Sequence, residues 1–170
     1  MRSLALAALI LAACGGDDSS QLIDAPSADA AYDVTRCLIT GNYGALGTKT
    51  GTAGNVMGNP TLTITLEPGP PRDTFFLKLA MARTPGTYTL AGVDLDFTSC
   101  TLCVNVIADI VSMVGPTKFY FADAGTVTLT STNPPAGSLQ NVTFHEVTSS
   151  GATVPNGCVA SITSMAFGPL

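Results

Sequence analysis

From Thr61 to Leu66 the chain reads Thr-Leu-Thr-Ile-Thr-Leu, apolar and hydroxyl-bearing side chains in strict alternation. A period of two puts Leu62, Ile64 and Leu66 on one face of an extended strand and the threonines on the other, a sorting no helix achieves. Pro68-Gly69-Pro70-Pro71 ends the run, because proline has no N–H to give to a ladder. Runs of this kind, dense in Thr, Val, Leu, Ile and Phe and broken by Gly, Pro or Asn about every eight to twelve residues, continue to the C-terminus. The chain is therefore committed to strands.

Further strands are expected at Thr74–Met81, Thr87–Leu90, Asp94–Thr98, Cys103–Ile110, Thr117–Ala122, Gly125–Ser131, Leu139–Thr148 and Cys158–Phe167. Cys103, Val106, Ile107, Ile110, Val111 and Val114 also fit one face of a helix. Their β-branched content and the Gly115-Pro116 turn favour a strand. Gly41–Pro60, rich in Gly, Thr and Asn, reads as a long loop or irregular edge. The expected fold is all-β: a two-sheet antiparallel β-sandwich of about nine or ten strands over residues 34–170, jelly-roll-like or immunoglobulin-like.

With 170 residues, 46% hydrophobic and 11% charged, there is material for one ordinary domain. The net charge is −5 and the three lysines, Lys49, Lys78 and Lys118, are scattered. No basic stripe exists to neutralise phosphates, so nucleic acid is not an expected partner.

The first residues carry an address. Met1-Arg2-Ser3 supplies one positive charge, and Leu4 to Ala13 is an unbroken run of Leu, Ala and Ile. That run is too short to span about 30 Å of hydrocarbon as a helix, and reads as a signal peptide over residues 1–13. It ends in Leu11-Ala12-Ala13-Cys14, which resembles the lipobox of bacterial lipoproteins. The resemblance implies that Cys14 becomes the first mature residue and carries a diacylglycerol, with further acylation of its amino group. Two or three acyl chains hold firmly where one binds marginally. Residues 14–33 follow as a lipidated, flexible, acidic tether that cannot bury enough apolar surface to order itself. Loss of residues 1–13 removes Arg2 alone among charged groups, leaving six basic and twelve acidic side chains, a balance of −6. The lipid, not charge, is then the link to a membrane. Gly15 stands where an aspartate would favour inner-membrane retention, so the resemblance implies an outer-membrane location.

The body, with its Gly-Thr-Tyr strand (86–88), Cys-x-x-Cys-Val (100–104), Phe-Tyr-Phe-Ala-x-Ala-Gly-Thr-Val-Thr-Leu (119–129) and Asn-Val-Thr-Phe-x-Glu-Val (141–147), resembles a group of β-rich lipoproteins of myxobacterial type. That resemblance brings no activity with it.

Setting Cys14 aside leaves Cys37, Cys100, Cys103 and Cys158, an even number in an exported chain. Three pairings are possible, and Cys100–Cys103 with Cys37–Cys158 is the one expected. Fully extended, Cys100 and Cys103 would stand about 10 Å apart, beyond the roughly 7 Å a disulfide tolerates, so the short bridge demands a turn at Thr101-Leu102. A redox pair at a helix N-terminus would need a βαβ setting that nothing here suggests.

The chemistry-bearing residues are few. His145 is the single histidine and would have to serve any Ser-His-Asp or Cys-His site; no Gly-x-Ser-x-Gly elbow accompanies it. Alternation puts it on the outer face or rim of a sheet. Glu146 falls on the face of Val142 and Phe144, which is explained by the strand leaving the core, by a bulge, or by a buried acid with a partner. The first is expected, as it is for Lys78 between Leu77 and Leu79. Asp94 and Asp96 share a strand face as solvated carboxylates and are weak candidates for a calcium ion. The absence of Trp removes the best stacking platform for sugars. No cofactor is expected. The reading is a monomeric, membrane-anchored structural, adhesion or ligand-binding protein without catalysis. The alternative is a small exported enzyme or thiol redox protein using His145 and Glu146, or Cys100 and Cys103.

Overall fold

The computed structural model describes residues 42–68, 71–110, 116 and 118–170. Among them are eight strands: β1 (Asn42–Val56), β2 (Asn59–Glu67), β3 (Arg72–Leu79), β4 (Gly86–Thr89), β5 (Leu102–Ile110), β6 (Lys118–Thr132), β7 (Pro135–Val147) and β8 (Val159–Pro169). A one-turn 3-10 helix, Gly92–Leu95, lies between β4 and β5. The strands run β6-β5-β3-β2-β1-β8-β7, and β7 pairs back onto β6. The sheet is thus a closed seven-stranded barrel and not the expected two-sheet sandwich. All pairs are antiparallel except β1 with β8. β5 pairs with residues 118–121 of β6, and the short β4 with residues 126–129 of the same strand.

Two segments account for the change of architecture. Gly41–Pro60, read as a loop, contains β1, the strand that closes the ring. Its glycines are the reason: Gly44 and Gly47 take φ of +60° and +62° where the register with β8 slips, and Gly51 lies so close to β2 that a Cβ would fall 2.1 Å from the Thr63 carbonyl oxygen. A strand made this way pairs through its backbone and shows little hydrophobic alternation. The second segment is Asp123-Ala124-Gly125, where two strands were expected to part. β6 runs through it as one strand of 15 residues, bent by register shifts against β7 around Ala124. Gly125 has φ +125°, and a Cβ there would meet the Val142 Cα at 2.6 Å. Such bulges curve a sheet towards closure.

The interior follows the alternation. Leu62, Ile64 and Leu66 are buried while Thr63 and Thr65 stand outside. They meet Phe75, Leu77 and Leu79 of β3, Val104 and Val106 of β5, Val127 and Leu129 of β6, Leu139, Val142 and Phe144 of β7, and Ile162, Met165 and Phe167 of β8. Each such side chain contributes about 1.5–3 kcal/mol by leaving water. The segment from Cys103 is strand up to Ile110; residues 111–115 lie outside the described ones. Asp94–Thr98 is not a strand. Gly92 (φ +56°) starts the 3-10 turn, and the Asp96 carboxylate accepts from the N–H groups of Thr98 (2.8 Å) and Ser99 (3.1 Å), a local turn that competes with any ladder.

The end of the barrel where β1, β3, β6 and β8 begin is polar inside. Asp73, 3% exposed, accepts from the Tyr43 hydroxyl (2.8 Å) and from the Asp109 N–H (2.8 Å). Burial, reinforced by the bond to Asp73, pushes the Tyr43 hydroxyl far above the usual phenol range.

Candidate functional site

Outward side chains of a barrel strand normally meet water. On β5, β6 and β7 several do not. Cys103, Phe121 and Val147 point away from the interior yet are buried, and Phe97, Cys100 and Phe119 pack against them as a second apolar cluster. The ladder sets them in rows: Phe76, Asn105, Phe121 and His145 lie across β3, β5, β6 and β7, and beside them run Thr74, Ile107, Phe119 and Val147.

Two loops roof this wall. The first, residues 96–101, places the Phe97 ring edge-on to Phe121, with centroids 5.5 Å apart and planes at 71°. It is held by the disulfide between Cys100 and Cys103, whose Cα atoms are 5.3 Å apart; the chain bends at Thr101 after a turn over 97–99, and Leu102, expected in the turn, already belongs to β5. The second follows β7: Thr148 and Ala152 are hydrogen-bonded, and Val147 bridges to Thr153. Gly151 (φ +88°) touches Phe97, where a Cβ would fall 2.3 Å from Cδ1.

On either side of Phe97 the roof is open. One groove, of about 420 Å³, is polar at its rim and is lined by Asp96, Thr98, His145, Ser150 and Thr153, with Phe97 and Phe121 at its floor. The other, of about 240 Å³, is lined by Phe76, Phe97, Asn105, Ile107, Phe119 and Ser149 and is mostly apolar. The Asn105 Oδ1 is buried and has no hydrogen-bond partner among the described residues.

The sequence-based candidates are distributed unevenly over this geometry. His145 is on the outer face as expected, but half-buried in the polar groove, with Nδ1 3.8 Å from the Asp123 carboxylate. Glu146 corrects the expectation that its strand has left the core. It is 7% exposed and faces inward, its Oε2 accepting from the Cys158 N–H at 2.8 Å, so the paired buried acid is the correct alternative. His145 and Glu146 therefore look to opposite sides of the wall and do not form one site. Lys78 stands outside, half-buried, between inward Leu77 and Leu79. Asp94 is no solvated outer carboxylate: it is 5% exposed, paired with Arg83, and accepts from Thr101 and Leu102. Burial raises its pKa, but the bonds from Arg83, Thr101 and Leu102 outweigh that and hold it below the usual carboxylate range. Asp96 spends its Oδ1 on its own turn, and the hydrogen bonds from Thr98 and Ser99 lower its pKa as well. Both carboxylates thus serve local structure. Among the described residues no three His, Cys, Asp or Glu side chains are placed to hold a metal.

Cys158 is disulfide-bonded and 2% exposed, and Lys118 Nζ donates to its sulfur at 3.3 Å. Cys37 and Cys14 lie outside the described residues. The residues that sequence reasoning missed are Phe76, Phe97, Asn105 and Phe119. The signal was weak: Cys103 and Ile107 on the outward face of β5 are apolar, but Asn105 and Asp109 share that face.

Comparison with protein families, with curated proteins and with solved structures finds no match to this chain. Among the described residues no helix is long and apolar enough to cross a membrane.

Proposed function

We propose that this chain is a lipid-anchored protein of the bacterial outer membrane, tethered through Cys14, whose barrel binds a ligand on its loop-roofed outer wall. The anchor rests on Leu11-Ala12-Ala13-Cys14, and its acyl chains supply the membrane affinity. The binding role rests on one observation: Phe97, on the loop that the Cys100–Cys103 disulfide anchors, divides a covered apolar wall into two open grooves. A rigid scaffold presenting concave, partly aromatic surface beneath loops is the usual form of a ligand site.

Two experiments test the two halves. Labelled palmitate should enter the native protein and not Cys14→Ala, and globomycin, which blocks cleavage after the lipid is attached, should accumulate a larger labelled precursor in the detergent phase; absence of label from the native protein removes the anchor. Titration with a small-fragment library, followed by methyl and aromatic NMR shifts, should perturb Phe97, Phe119, Phe121 and His145. Shifts elsewhere on the barrel alone would show that the wall is not the ligand face.

A further inference from the structure

We infer that the smaller groove is a site for a neutral aromatic molecule of one or two fused rings carrying an N–H or O–H on its edge, received by the Asn105 side-chain amide. The inference rests on the outer wall being a ligand face, and it adds the class of ligand. Size sets the first limit: a cavity of roughly 150 Å³ lined by apolar side chains holds a benzene ring, and this groove offers about 240 Å³. Shape and chemistry set the second. Phe76, Phe97 and Phe119 converge on the space, and aromatic faces and edges add an oriented attraction for a flat ring beyond simple burial. Among the described residues no charged side chain lines the groove, so none of them would compensate an ion for leaving water.

The polar requirement comes from Asn105. Its Oδ1 is buried and meets no donor among the described residues, although buried polar atoms of folded proteins are almost always partnered. The terminal torsion of an asparagine is broad and roughly two-fold. Asn105 lines the groove, so rotation about this torsion lets Oδ1 meet a donor on the edge of a bound ring without moving the backbone, and that donor completes the missing bond. A ring without a donor fills the space but leaves the oxygen unmatched.

Indole and 1-methylindole separate these contributions, since the second replaces the N–H donor by N–CH3, and the Asn105→Leu variant controls for the added methyl group. The protein contains no tryptophan, so indole fluorescence reports the ligand directly. Saturable binding of indole is expected, with 1-methylindole about tenfold weaker, the factor that one hydrogen bond to a buried acceptor supplies. In Asn105→Leu, close in size, the two should bind alike. Equal affinities in the unmodified protein overturn the role of Asn105. Absence of saturable binding by either ring overturns the site; if library fragments still shift the wall resonances, the ligand face stands and only this ligand class falls.

Discussion

The Arg83 guanidinium and the Asp94 carboxylate form an ion pair beneath the chain that enters β5, with Arg83 stacked 4.6 Å over the Tyr88 ring. Thr101 is joined to both, donating to Asp94 Oδ1 from its N–H (3.2 Å) and its hydroxyl (2.9 Å) while its Oγ1 accepts from Arg83. The pair thus ties the loop after β3 to the turn that carries the disulfide and the Phe97 loop.

Asp94→Ala leaves Arg83 without its anion and two backbone N–H groups without an acceptor, and should cost about 3 kcal/mol. The pH dependence has a definite sign. The folded pKa of Asp94 lies below its unfolded value, so its contribution is complete above the ordinary carboxylate pKa and is lost as pH falls through the folded one. Denaturant midpoints should therefore fall with acid more steeply for the native protein than for Asp94→Asn. Parallel curves would show that the pair carries no such coupling.

Closure of the barrel depends on Gly51. Gly51→Ala puts a methyl group against the Thr63 carbonyl and should destabilise by at least about 2 kcal/mol, because backbone on both sides has to move. Amide exchange of β1 and β8 should accelerate most. A neutral substitution would mean that β1 approaches β2 less closely than described.

Met57 occupies a hairpin position with φ +52° and is 96% exposed, next to Gly58 at φ +85°. Turns of this hand suit asparagine or glycine, and methionine pays a steric cost there without any burial. Met57→Asn should raise stability by about 0.5–1 kcal/mol, read as a higher urea midpoint at unchanged slope. An unchanged or lower midpoint contradicts it.

Cys158 is disulfide-bonded, and Cys37 is its expected partner. Non-reducing peptide mapping should recover the peptides containing these two residues as one cross-linked species. A free thiol at Cys37 excludes the pairing. Closing so long a loop contributes about 4–5 kcal/mol in the chain-entropy picture, so Cys37→Ser should lower thermal stability clearly.

Much of the strand content was legible because it is local. Alternation marked β2, β3 and β7, and the three-residue separation of Cys100 and Cys103 implied that the chain bends between them. Where alternation was weak, reading failed: β1 is glycine and threonine over long stretches, and β6 hides its continuity behind Ala124-Gly125. Asp94 and Asp96 looked like strand residues because acids on an alternating pattern resemble a solvated face. Their actual role is to bond nearby backbone, which spacing does not reveal. Asn105 and Phe97 escaped notice because neither belongs to a motif; only the row across β3, β5, β6 and β7 and the loop above it join them.

By itself the sequence determined that this chain is built of strands, which side chains those strands turn inward, and where a short disulfide bends the backbone. These follow from the two-residue period and from bond geometry over a few residues. The tertiary structure alone decided that β7 returns to β6, that β1 lies alongside β8, and that Glu146 stays in the core with the Cys158 N–H as its partner. Each depends on pairing between residues far apart in the chain, where a glycine's close approach counts for as much as any hydrophobic pattern.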